Sequence, residues 1–317
     1  MTRTQGPEHT EYPEPAESDT RSEYVDPEPP DPRAPDWFRR ALSRPRSTGE
    51  LDVAGTTIRY QAWGDPATPA TVLVHGGAAH AMWWAPLAAL LDPESHVVAM
   101  DLSGHGVSGR RPAYSVDRWV DEIVAVAETA SERPATIVGH SLGGIILSHA
   151  AVRHGHRFRR VVLLDSPVWP GAPAPLTGVT SGKTQRSRTY GTPEEALRRF
   201  RLVPTQDCDN DWYVRHIAWH GLHRGDTGWR WRFDPAAFAG PEDDDRIVRF
   251  AGRLADSRCP WALMFGALSY LTPGALEAFG GDPDVPFRII PGAAHHVMLD
   301  QPLRLLHELR TLLAEWG

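Results

Sequence analysis

The chain has 317 residues, 41% of them hydrophobic and 23% charged, which excludes a fibrous or wholly disordered protein. Its formal charge of −7 falls entirely within residues 1–36, so the rest sums to zero and offers no positive field for nucleic acid. No apolar run approaches the ~20 residues of a membrane span.

Residues 1–36 carry ten acids and eight prolines, with Val25 as the only branched aliphatic side chain. Such a stretch buries too little apolar area to offset its ordering entropy, and it reads as a disordered acidic tail. Residues 37–42 predict a short helix on the domain edge. Residues 51–60 read as two strands around a turn at Gly55. Strand-like runs then follow at 71–75, 96–100, 135–139, 160–164, 261–265 and 285–290. Helical stretches at 84–91, 116–131, 142–154, 273–279 and 301–315 alternate with them. Apolar runs such as Val161-Val-Leu-Leu suit parallel strands buried on both faces, and the alternation predicts βαβ crossovers. The long interval 167–258 breaks the alternation and predicts a helical cap, or lid, over the sheet. The expected domains are thus a tail (1–36), a core (37–166 with 259–317) and the cap. Cys208 and Cys259 are too few for a disulfide scaffold, and no secretory apolar segment opens the chain. A reduced, cytoplasmic setting is expected.

Gly139-His140-Ser141-Leu142-Gly143 fits G-x-S-x-G, and it sits between a predicted strand and a predicted helix, as the mechanics of a nucleophile turn require. The amide of Leu142 would then face any oxygen that develops charge beside Ser141. His75-Gly76-Gly77 follows an apolar strand directly, and the amide of Gly77 supplies a candidate second oxyanion donor.

The chain resembles the α/β-hydrolase fold superfamily, in its lidded esterase-like branch. The residues that carry the resemblance are Leu73-Val-His75-Gly-Gly, Asp101-Leu-Ser-Gly104-His105-Gly106-Val-Ser108, the Ser141 turn, and Pro291 to Pro302 around His295. It spans about residues 50 to 317. It implies an eight-stranded, mostly parallel sheet with helices on both faces, and a serine nucleophile whose proton goes to a histidine. His295 matches the family's position for that base, with His296 as its rival. The acid departs from the common pattern, because Ser269 stands where many relatives carry aspartate. Other members place the acid at the end of the preceding strand, which here ends in Asp165; Asp282 and Asp284 are the alternatives.

Among the aromatic residues of the cap and its surroundings, Trp83, Trp84, Trp169 and Trp219, together with His140, are candidates for an apolar substrate pocket. His216, His220 and His223 share one face of a possible cap helix and read as a surface stripe or pocket lining, since no clear fourth ligand completes a zinc set. No dinucleotide or P-loop fingerprint is present, so no cofactor or metal is implied. The expected protein is a serine hydrolase acting on a small molecule, most simply a carboxylic ester with an apolar body. Carbon–carbon bond hydrolysis or lyase chemistry with the same residues is the rival within the fold, and a ligand-binding protein on the scaffold is the rival outside catalysis. Epoxide hydrolases and dehalogenases of this fold use an aspartate nucleophile, whereas this chain has Ser141.

Overall fold

The computed structural model describes residues 23–24, 31–91, 95–173, 188–238 and 253–316. Alternation of two kinds of apolar contact builds its centre. Along β3 (Ala70–Val74), Val72 and Val74 point to one core and Leu73 to the other. The same period of two runs through β4 (His96–Met100), β5 (Ala135–His140) and β6 (Phe158–Leu164), where Val161 and Leu163 face one side and Val162 and Leu164 the other. A strand that is apolar on both faces must be covered on both, and it is.

Eight strands form the sheet in the order β1-β2-β4-β3-β5-β6-β9-β10. The hairpin of β1 (Ser47–Val53) and β2 (Thr56–Trp63) is antiparallel, as is the pairing of β2 with β4. From β4 onward, through β9 (Trp261–Gly266) and β10 (Phe287–Ile290), every pairing is parallel. One face packs against α3 (Val116–Ala130) and α4 (Leu142–His154). The other packs against α1 (Asp36–Leu42), α2 (Ala85–Leu91) and the last helix, Pro302–Glu315. The predicted strands and helices lie where the sequence pattern puts them. No helix among the described residues is long and apolar enough to cross a membrane.

The interval between β6 and β9 is not helical throughout. It holds α5 (Pro193–Leu197) and α6 (Asp211–His220), and also a two-stranded antiparallel hairpin of β7 (Leu222–Gly225) and β8 (Gly228–Trp231). Helix α6 rests on α1 through Phe38, whose ring lies 4.6 Å from that of Trp212 and 5.1 Å from that of Tyr213.

Most of the segment read as a solvated tail lies outside the described residues, but Glu23 and Tyr24 are described, and they do not fit that reading. Tyr24 is buried, donates its hydroxyl to both oxygens of Asp101 at 2.8 and 2.6 Å, and packs its ring 5.7 Å from those of His80 and His220. Arg232 covers that ring and donates to the Glu23 carbonyl at 2.7 Å. An aromatic ring with a satisfied hydroxyl is favourable to bury whatever the composition around it.

Candidate active site

Strand β5 ends at His140 and α4 begins at Leu142, leaving one residue to reverse the chain. Ser141 does so at φ 52°, ψ −117°, a conformation that non-glycine residues rarely adopt. Its amide is anchored to the Leu164 carbonyl at 3.0 Å. The turn is too tight for side chains on its flanks. A Cβ at Gly139 would lie 2.6 Å from the Gly143 carbonyl oxygen, and one at Gly143 would lie 2.5 Å from the His75 carbonyl oxygen. The G-x-S-x-G spacing is therefore a steric requirement of this strand-to-helix turn.

The serine faces a chain of hydrogen bonds. His295 Nε2 lies 3.0 Å from Ser141 Oγ, and His295 Nδ1 lies 2.8 Å from Asp165 Oδ1. With its Nδ1–H given to the carboxylate, the ring presents the Nε2 lone pair to the hydroxyl, which is the tautomer a general base needs. Asp165 stands at the end of β6, fully buried, at φ 45°. Two further donors hold it. The Gly266 amide donates to Oδ2 at 2.8 Å, and the Ser269 hydroxyl donates to Oδ1 at 2.6 Å. Ser269 in turn accepts the Leu271 amide at 3.2 Å. A buried carboxylate with three donors is satisfied and fixed in orientation.

The glycine turn after β3 lies beside this chain. His75 donates from Nδ1 to the Gly76 carbonyl at 2.7 Å and accepts the Leu102 amide on Nε2 at 3.1 Å, tying the turn to the loop after β4. Burial, with the His105 ring alongside, lowers the His75 pKa to about 3 and keeps the ring neutral. Asp101 clasps the same region by accepting the amides of Ala81 at 2.6 Å and Val107 at 3.0 Å. Burial raises its pKa to about 6 against the effect of these donors. Ala78 takes φ 56° in the turn, immediately after Gly77.

A model of the alpha/beta hydrolase family matches residues 71–309. The chain belongs to that family. The chain is 30% identical over 241 residues to a pimeloyl-[acyl-carrier protein] methyl ester esterase of Chromobacterium violaceum, covering 72% of this chain and 87% of the relative. It is 31% identical over 131 residues to epoxide hydrolase A of Mycobacterium tuberculosis, a match covering 40% of this chain and only 41% of that protein. Among solved structures, E-2-(acetamidomethylene)succinate hydrolase superposes with a TM-score of 0.73 at 23% identity, covering 85% of this chain and 99% of the other. At that identity the superposition speaks for the shared fold.

The remaining candidate residues divide into those near the serine and those that build its surroundings. His296 does not reach Ser141. Its Nε2–H donates to the Pro204 carbonyl at 3.2 Å, and its amide donates to Gln206 Oε1 at 2.9 Å, so the ring faces the insertion. Burial and the neighbouring His295 ring lower its pKa to about 3. His140 donates from Nε2 to the His295 carbonyl at 2.9 Å. Trp83 lies 5.4 Å from the His296 ring. The other three tryptophans are buried against neighbouring side chains. Trp84 is fully buried in a core, Trp169 lies against Phe265 and Gly274, and Trp219 lies beside Trp229.

Asp282 and Asp284 are exposed and share a turn in which the Asp284 amide donates to Asp282 at 2.9 Å. His216, His220 and His223 do not form a surface stripe. All three are buried, α6 stops before His223, and His216 bonds the Met82 carbonyl at 3.2 Å. Two supporting contacts had no sequence signal. Asp300 accepts the Ala294 amide at 2.7 Å and Gln206 Nε2 at 2.9 Å, clamping the loop that carries His295 to the insertion. The contact of Ser269 with Asp165 was foreshadowed only by its place where relatives carry an acid.

Proposed function

We propose that this hydrolase is a cofactor-independent serine esterase that cleaves a carboxylic ester of a small, mainly apolar molecule through an acyl-enzyme. His295, oriented by Asp165, takes the proton of Ser141 as its oxygen attacks the carbonyl carbon. The amides of Gly77 and Leu142 stabilise the negative oxygen of the tetrahedral intermediate. The intermediate collapses, the C–O bond to the alcohol breaks, and His295 returns the proton to the departing alkoxide. Water, deprotonated by the same imidazole, then attacks the acyl group and releases the acid. The observation that carries this reading is the unbroken hydrogen-bond chain from Asp165 through His295 to Ser141. The esterase relative supports the ester over other bonds, and the serine in the turn disfavours the aspartate-nucleophile chemistry of epoxide hydrolysis.

A fluorophosphonate probe tests the nucleophile. Rapid labelling of the wild-type protein is expected, with none in Ser141→Ala, whose turnover of a short-chain aryl ester should fall by about 10⁴-fold or more. An unlabelled Ser141 would leave a ligand-binding protein on a hydrolase scaffold. A parallel screen over acyl esters, lactones, thioesters and vinylogous diketones reads the bond cleaved. Preference for the diketones would replace ester cleavage by carbon–carbon bond hydrolysis with the same three residues.

A further inference from the structure

The imidazoles of His140, His295 and His296 are all buried, and each offers a ring nitrogen within 4.8 Å of the other two. The rings pack with centroids 5.0 Å apart for His140–His295 and for His295–His296, and 5.9 Å apart for His140–His296. Their hydrogen bonds fix which nitrogens carry protons. Carbonyl oxygens can only accept, so His140 Nε2 and His296 Nε2, bonded to the carbonyls of His295 and Pro204, are both N–H donors. In the neutral rings the opposite atoms, His140 Nδ1 and His296 Nδ1, are then bare lone pairs. Both are buried without a hydrogen-bond partner. A Cβ at Gly76 would lie 3.0 Å from His140 Nδ1 and 3.3 Å from Ser141 Cβ, so this lone pair is beside the nucleophile. The third ring, with Nδ1–H on Asp165, presents the Nε2 lone pair to Ser141.

Two unsatisfied acceptors on packed, buried rings are costly in a protein interior. A divalent ion that favours nitrogen would satisfy both. We propose that His140, His295 and His296 form an inhibitory site for a borderline-soft divalent ion, with zinc as the type, that competes with Ser141 for the His295 lone pair. Zinc takes imidazole nitrogens at about 2.0–2.1 Å in a tetrahedral shell, so ligand nitrogens stand roughly 3.4 Å apart. The three nitrogens, now within 4.8 Å of one another, close to that spacing when the ion binds, and water fills the fourth position. Asp165 already holds His295 Nδ1–H, the kind of outer contact that orients a metal-binding imidazole. Magnesium and calcium, which favour several oxygen ligands, are poorly matched to three imidazoles. With the His295 lone pair on the metal, Ser141 has no base. The inhibition rests on the serine-esterase reading, but the binding does not.

The test separates the two. Zinc and cobalt(II) are titrated into Ser141→Ala, which keeps all three imidazoles and needs no activity. One ion per chain and the visible bands of four-coordinate cobalt are expected, with His140→Asn and His296→Asn each weakening zinc at least tenfold. In the wild-type protein, zinc should suppress cleavage of the aryl ester, a chelator should restore it, and magnesium should do neither. Absence of the cobalt bands in Ser141→Ala, or zinc affinity unchanged in both asparagine variants, overturns the site. The cobalt spectrum decides the matter even where an asparagine variant fails to fold. Zinc bound with full affinity by a protein that cleaves no ester would overturn the proposed function and leave the site standing.

Discussion

The ends of β6 and β9 lie side by side, with Leu164 paired to Met264, and each releases a loop towards the same imidazole. At the end of β6 the chain places a carboxylate, Asp165, in a left-handed conformation. At the end of β9, three residues beyond Gly266, it places a hydroxyl, Ser269. The two are not independent, since Ser269 donates to the oxygen that also accepts His295 Nδ1–H. The difference shows how the site divides its work. On the proposed mechanism, one strand end would supply the charge that offsets a forming imidazolium, and the other supplies dipoles, from Ser269 and the Gly266 amide, that hold that carboxylate in place. A hydroxyl alone could orient the ring but could not neutralise it.

That division can be broken most directly with Asp165→Asn, which should reduce kcat on a short-chain ester on the order of 10³- to 10⁴-fold. Acid sharpens the picture through the neighbouring imidazoles. Burial holds His75, His105 and His296 at about 3, 4 and 3, below the ordinary value of 6.5. Between pH 6.5 and about 4 the unfolded chain therefore binds protons that the folded chain refuses, and stability falls with pH by up to about 1.4 kcal/mol per unit for each ring. Asp101, raised from 3.8 to about 6, has the opposite sign, because its folded form keeps a proton the unfolded chain has released. Burial also holds His149 at about 4 and lowers His80 and His140, while Glu122 and Asp300 join Asp101 among the raised carboxylates, so the depressed imidazoles outnumber the raised carboxylates. The unfolding free energy in urea should be several kcal/mol lower at pH 5 than at pH 7, on the order of 1–2 kcal/mol for each depressed imidazole.

Moving the charge across to β9 is the next largest effect. Combining Asp165→Asn with Ser269→Asp should recover about ten- to a hundredfold of the lost kcat, and no recovery would mean that only the β6 end can serve the ring. Ser269→Ala alone removes one of three donors from a buried carboxylate. It should cost about 1–3 kcal/mol in stability and lower kcat by roughly tenfold or less. Asp284→Asn, in an exposed turn, should leave kcat within about twofold of wild type.

Much of this was legible in the chain because the signals are local. The period-two apolar runs of β3 to β6 announce strands buried on both faces, and the glycines about Ser141 announce a turn whose crowding only glycine tolerates. Asp165 was harder, because a lone aspartate after four apolar residues acquires meaning only from partners 101 to 130 positions away. Strands β7 and β8 were invisible, since Leu222–Gly225 and Gly228–Trp231 are four residues each, too short to carry a period. The histidines of α6 read equally as a surface stripe or a pocket lining because their cover comes from elsewhere in the chain. Phe38 lies 5.5 Å from the His216 ring and Tyr24 lies 5.7 Å from that of His220.

Tyr24 has a practical consequence for anyone preparing this protein. A boundary drawn at the end of the acidic, proline-rich stretch would be the usual choice for expression, and it would delete the phenol that caps Asp101. The trimmed version would expose the ring's berth between His80, His220 and Arg232 and leave a carboxylate short of a donor. Poor yield or aggregation of such a product should be traced first to the missing anchor, and a start upstream of Glu23 is the safer design.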